Sequence, residues 1–193
     1  MLPFPEERIR RGPVSFIVPA GFALAETGPE APDPEGAPGD PVACSCGTVE
    51  GKGDASMRFS PVTLVKTAIF PGAPPISEDP SDMNSAAFPE SITLMPVAGG
   101  GDPLAYLAMT ERVIGRHFED HRMDLCEKTT VGDRPAARSQ SSFLSNFRIF
   151  RLVIAWRSPA GLITATLTLA EERLGGGWAT LRRLAESVKT TRS

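Results

Sequence analysis

An α+β fold, an antiparallel β-sheet with helices packed against it, is what the sequence predicts. Short runs rich in β-branched and aromatic residues recur between turn residues, once near the start and then in close succession from Arg122 to Leu169. Two other stretches carry apolar residues at the 3.6-residue spacing of an amphipathic helix, one after Asp102 and one from Trp178 to Val188. The remaining long stretches are crowded with proline and glycine and read as loops rather than layers.

Val14 to Val18 forms the first predicted strand, closed by Pro19-Ala20-Gly21. Residues 28–54 hold five prolines, six glycines and few large apolar side chains, too little to offset the entropy of ordering them, so they read as a flexible insertion. A strand is expected from Val62 to Phe70, then a second loop through 71–82 with four more prolines, then a strand from Ser91 to Val97. Pro96 near its end suits an edge or a terminus better than a central position. Asp102 is placed to cap a helix whose first residue is Pro103, where the missing N–H costs nothing. Leu104, Leu107, Ala108, Ile114 and Phe118 then line one side of that helix, which should pack on a sheet. Four strands follow, Arg122 to Val131, Pro135 to Phe143, Phe147 to Arg157 and Leu162 to Leu169. A terminal helix begins after Gly175 to Gly177.

One hairpin can be derived in register. With Ser158 opposite Gly161, Trp156 faces Ile163, Ile154 faces Ala165, Leu152 faces Leu167 and Phe150 faces Leu169, so all eight inward residues are apolar. The other face places Arg157 beside Leu162, Ala155 beside Thr164, Val153 beside Thr166 and Arg151 beside Thr168. A slip of one residue would set each apolar face against a mixed one, so the pattern specifies this pairing. The mixed face is either ordinary solvated sheet or the surface that receives a partner. Its candidate binding residues are Arg151, Val153, Ala155, Arg157, Thr164, Thr166 and Thr168.

The 193 residues suit one compact domain, 1–193, with the 28–54 insertion inside it. A hydrophobic content of 41%, a charged content of 22% and a net charge of −3 argue against bulk disorder and against nucleic acid as partner. No apolar run approaches the length of a membrane span, and Met1 to Glu7 lacks the basic and apolar regions of a secretory signal, so a soluble cytoplasmic protein is expected. Cys44, Cys46 and Cys126 make an odd set without zinc-ribbon spacing and read as reduced thiols.

Chemistry finds little support. His117 and His121 stand at i and i+4, a spacing that can clamp a metal, but Phe118 occupies the place of the glutamate in a zinc-protease motif. They read as imidazoles at a helix C-terminus, where the dipole favours cations. Gly99-Gly100-Gly101-Asp102 has no following Lys-Ser/Thr, so no phosphate loop is expected, and no serine stands in a nucleophile elbow. No catalytic residue, metal or cofactor is assigned, and the protein is expected not to be an enzyme.

Val14 to Phe22, with its strand and Pro-x-Gly-aromatic turn, resembles the opening of the DcrB-related, PsbP-like superfamily. Asp102-Pro103-Leu104-Ala105-Tyr106-Leu107 looks like the start of that family's helix, and Val131-Gly132-Asp133-Arg134-Pro135-Ala136-Ala137 like its small turn before a strand. Leu162 to Thr168 and Trp178 to Val188 are similar to its last strand and helix, whereas residues 23–89 depart from it. The resemblance implies an α/β/α sandwich used mainly for binding. In style it is closest to the Eag chaperones of type VI secretion, which hold hydrophobic segments of effectors before export. It therefore implies a protein partner with an apolar segment, for which Met95, Met109 and Met123 would be adaptable contacts. Self-association stays open, and a regulatory domain for a small molecule or metal is the alternative.

Overall fold

A computed structural model of the chain describes residues 7–25, 61–66, 90–97, 101–159, 161–170 and 174–190. The strands are β1 (Arg8–Arg11), β2 (Val14–Ile17), β3 (Phe22–Leu24), β4 (Val62–Lys66), β5 (Ser91–Val97), β6 (Arg122–Val131), β7 (Arg134–Leu144), β8 (Arg148–Ser158), β9 (Gly161–Ala170) and β10 (Lys189–Thr190). The helices are α1 (Pro103–His117) and α2 (Leu174–Ser187). The expected insertion at 28–54, with Cys44 and Cys46, and the loop at 71–82 lie outside the described residues.

Seven strands form one antiparallel sheet in the order β3-β4-β5-β9-β8-β7-β6, and β1-β2-β10 form a small second sheet. The β8–β9 hairpin has the derived register throughout, from Phe150 opposite Leu169 to Ser158 opposite Gly161. Its apolar face is the main core. Leu152, Ile154, Trp156, Ile163, Ala165, Leu167 and Leu169 are buried there with Ile92 and Leu94 of β5 and Leu64 of β4. Over them lie Leu181, Leu184 and Ala185 of α2 and Val14 and Phe16 of β2. Burying each such large side chain contributes roughly 1.5–3 kcal/mol, which is what holds α2 and the small sheet on this side.

The opposite face carries α1, which packs on β6, β7 and β8. Layers of helix, sheet and helix result, as the α+β reading expected. Asp102 caps α1 by accepting a 2.9 Å hydrogen bond from the Ala105 N–H, with Pro103 beginning the helix.

Three details add to or differ from the expectations. The strand at Val14 lies in the small sheet and pairs with β1 and β10, neither of which was expected, because they are too short to show alternation. β5 is an inner strand, between β4 and β9, but its pairing with β4 covers only Ser91 to Leu94, so Pro96 lies near the terminus of the strand, one of the two positions expected for it. Gly175 to Gly177 belong to α2 instead of preceding it. Gly177 is needed where it stands, since a Cβ there would lie 2.6 Å from Leu152 Cδ1 and 3.2 Å from Leu167 Cδ2. The absent side chain lets the helix approach the sheet closely enough to bury Leu181 and Leu184. No helix among the described residues is long and apolar enough to cross a membrane.

Candidate functional site

Helix α1 divides its residues sharply. Leu107 is buried against Ala137, Val153, Ala155 and Leu162, with Leu104, Tyr106, Val97 and Cys126 at the margin. One turn beyond Leu107, the same inward side carries Glu111, only 2% exposed. A carboxylate so placed needs hydrogen bonds and a countercharge to remain ionised. Oε1 accepts from Ser139 Oγ at 2.9 Å and from Arg151 Nη1 at 2.9 Å, and Oε2 lies 3.1 Å from His121 Nε2. Burial pulls the Arg151 guanidinium below its ordinary pKa, while the charge and hydrogen bond of Glu111, with Tyr106, pull it back. The four side chains thus form one closed network between α1, β7, β8 and the turn that leads into β6.

That turn explains the histidines. α1 ends at His117, and Phe118 follows in extended conformation, so His121 is not on the helix and the two imidazoles do not share a face. Asp120, at φ 55°, reverses the chain, and His121 passes beneath the last turn of α1. Gly115 leaves room for it, since a Cβ there would sit 3.1 Å from His121 Nδ1. His117 is exposed, while His121 is engaged with Glu111. Among the described residues no group of three or more His, Cys, Asp or Glu is placed to hold a metal ion.

The seven residues expected to receive a partner are split by α1. Val153, Ala155 and Thr164 are at most 2% exposed, and the first two lie in the cluster beneath Leu107, so the helix of this chain occupies the middle of that surface. Arg151 is committed to Glu111. Thr166 and Thr168 are half-buried, beside Thr93 and Ser91 of β5, and Arg157 is exposed. The physical reason is that Val153, Ala155 and Leu162 together make a face apolar enough to demand its own cover, which α1 supplies.

What α1 covers on one side, it displays on the other. Met109, Val113, Phe118, Met123 and Leu144 are the exposed large hydrophobic residues among those described, at 44% to 58% of their surface. Met109 and Val113 stand one turn apart on the side of α1 away from Leu107 and Glu111. Phe118 lies against Phe143 of β7, ring centroids 4.4 Å apart. Met123 is opposite Ser141, two residues from Phe143 on the same strand face, whereas Leu144, which follows Phe143 at the end of β7, belongs to the other face. Arg112 and Arg116 flank the helical pair without a carboxylate partner among the described residues. Of the methionines expected to make adaptable contacts, Met109 and Met123 are in this group, and Met95 is half-buried on β5. Sequence reasoning missed Val113 and Leu144, and assigned Phe118 to the inward stripe.

Cys126, half-buried beside this network, has its pKa raised, first by burial and then by the charge of Glu111. The raised pKa leaves less thiolate at a given pH. Alkylation with iodoacetamide at about pH 8, followed by peptide mass spectrometry, is therefore expected to modify Cys126 more slowly than the same cysteine in an unstructured peptide. An equal rate would contradict this placement.

No protein-family model matches the sequence, and no curated protein matches it. Among solved structures the chain is similar to a Pseudomonas aeruginosa protein of unknown function described as a putative regulator, with a TM-score of 0.50, 12% identity, and coverage of 72% of this chain and 89% of that one. It is similar also to a mutant of the protein Mog1, with a TM-score of 0.50, 11% identity and 98% of both chains covered. Cyanobacterial PsbP from Synechocystis sp. PCC 6803 scores 0.49 at 12% identity, over 96% of this chain and 92% of that one. At such identities the likeness reaches the fold, an α+β arrangement of antiparallel sheet and helices, and goes no further.

Proposed function

We propose that this chain is a non-catalytic binding protein that holds an apolar segment of another protein on the outer side of α1 and the adjoining ends of β6 and β7. Its role on this reading is that of an adaptor or chaperone for a hydrophobic segment of a secreted effector. The observation that carries it is the exposure of Met109 and Val113 on the outer side of α1 together with that of Phe118 and Met123, which lie near Phe143 at the adjoining ends of β6 and β7. Scattered exposed apolar residues are ordinary, whereas a group of them with a basic rim marks a place of contact. Methionine suits the task, because its flexible thioether repacks against segments of different shape. Arg112 and Arg116 favour a segment with acidic residues at its flank. The titratable groups nearest the site support a role without chemistry, since Glu111, Arg151 and His121 are occupied with one another.

Affinity capture from the native lysate tests this, comparing the wild type with Met109→Glu/Met123→Glu. Both side chains are exposed, so the variant is expected to remain within about 0.5 kcal/mol per site of wild-type stability. A partner bearing a long apolar segment, recovered by the wild type and lost in the folded variant, is the expected result. Equal recovery of that partner by both proteins would remove the reading. Val153 is unsuitable as a probe, because a charge there enters the interface between α1 and the sheet.

A further inference from the structure

We propose that the small sheet carries a second binding surface, on the side of the molecule away from α1, which takes an acidic polypeptide segment as an added strand along β1. Val14 and Phe16 of β2 point into the main core, which turns the alternate residues of this sheet outward. Arg10 is opposite Ser15, and Ser15 is opposite Lys189, so a single row across the three strands reads cation, hydroxyl, cation. Arg8, on the same outward side, stands opposite Ile17. Arg11, opposite Val14 and so on the other side of the strand, is exposed at the end of β1.

None of these four cations has a carboxylate partner among the described residues. Arg8 Nη1 makes only two long contacts, 3.4 Å to Ser15 Oγ and 3.4 Å to the Ser187 carbonyl, and Arg10 Nε one of 3.4 Å to the Gly12 carbonyl. The nearby acids are otherwise placed: Glu186 pairs with Arg182, and Glu7, exposed, precedes β1, where its backbone carbonyl accepts from Val18. Like charges gathered this closely repel one another, and they do so here in a chain whose net charge is −3. An anionic partner relieves that repulsion.

The form of the partner follows from β1 itself. Among the described residues β1 pairs with β2 alone, and none of them bonds to its other edge. Arg8 and Arg10 are spaced by the two-residue period of a strand. A segment added along that edge, with Asp or Glu at alternate positions, would set its carboxylates beside both arginines while its backbone completes the ladder. A long polyanion fits less well, because the overall negative charge repels it and, among the described residues, no aromatic side chain stands on this face to stack a base.

The test uses the full chain and the peptide Thr-Glu-Thr-Glu-Thr-Glu-Thr, with Glu-Thr-Thr-Glu-Thr-Thr-Glu as a control of equal composition and charge. Fluorescence anisotropy is expected to show the alternating peptide binding, with affinity falling about tenfold in Arg8→Glu/Arg10→Glu and on raising salt from about 50 to 300 mM. Arg8→Gln/Arg10→Gln should fall between, and the β1 amides should gain protection from hydrogen exchange. Circular dichroism confirms that both variants are folded. The proposal is overturned if the alternating peptide does not bind, if the variants bind it as tightly as wild type, or if the control peptide binds equally well. It is overturned also if phosphatidylglycerol-containing vesicles or single-stranded DNA bind through these arginines while the peptide does not.

Discussion

Replacing Arg151 by methionine is expected to lower the free energy of unfolding by about 3–5 kcal/mol, the cost of leaving a buried charge without its partner. The charge left behind is Glu111, which would keep only Ser139 and His121 as partners. Glu111→Leu strands Arg151 instead and is expected to cost a similar amount. Domains of this size have about 5–15 kcal/mol in total, so either change takes a large share. The double variant Glu111→Leu/Arg151→Met removes both charges and should cost clearly less than the two singles combined, because apolar groups of similar size can replace a buried pair with little loss. Urea unfolding at neutral pH measures all four proteins. Additivity to within about 0.5 kcal/mol would mean that Glu111 and Arg151 do not act as a pair.

The network bears on binding as well as on stability. Apart from Pro103 at its start, Leu107 is the buried apolar anchor of α1, while Glu111 joins the helix at once to β7, β8 and the turn before β6. Hydrogen bonds also have directions, which apolar contacts lack, so the network sets the rotation of α1 about its own axis. That rotation determines where Met109 and Val113 point. A variant with a loosened network should therefore bind the proposed partner less well although every residue of the outer face is intact.

Much of this was legible in the sequence, and the reasons differ by element. The β8–β9 register could be derived because eight apolar residues match across only one alignment of the two strands, and the structure has that alignment. The start of α1 was legible because Asp102 and Pro103 act within one turn. Which sheet face α1 would cover was not, since that depends on residues far apart in the chain. A signal was present nonetheless. Glu111 interrupts the apolar side of α1 between Leu107 and Ile114, and Arg151 interrupts an otherwise apolar run on β8. A charge within each of two buried patterns is the mark of a pair across their interface, and reading each strand or helix by itself concealed it. The outer face of α1 was hidden for another reason: with Leu104, Leu107, Ala108 and Ile114 inward, Met109 and Val113 fall on the other side of the helix, but nothing local shows whether that side is covered by another part of the chain.

Trp156→Ala is expected to cost about 3–5 kcal/mol, because it removes the largest of the wholly buried side chains and the surrounding structure can collapse only in part. Trp156 is held between Ala136 of β7 and Ile163 of β9, so both of its cross-strand neighbours would face the cavity. The ring also supports Arg134, whose guanidinium carbon lies 5.7 Å from its centroid. Arg134 donates to the Ala185 carbonyl at 2.9 Å and to the Val188 carbonyl at 3.4 Å, tying the end of α2 to the β6–β7 turn, while Nε donates to the Val131 carbonyl at 3.2 Å. Loss of the ring should thus be felt in two places, as a cavity in the sheet core and as a loosened end of α2. Trp156→Phe, which keeps a ring beneath the guanidinium, should cost clearly less. Urea unfolding gives the first quantity, and hydrogen exchange of the α2 amides gives the second. A loss below about 1 kcal/mol, or α2 protection falling no further than global stability requires, would show that Trp156 and Arg134 do not join the helix to the sheet.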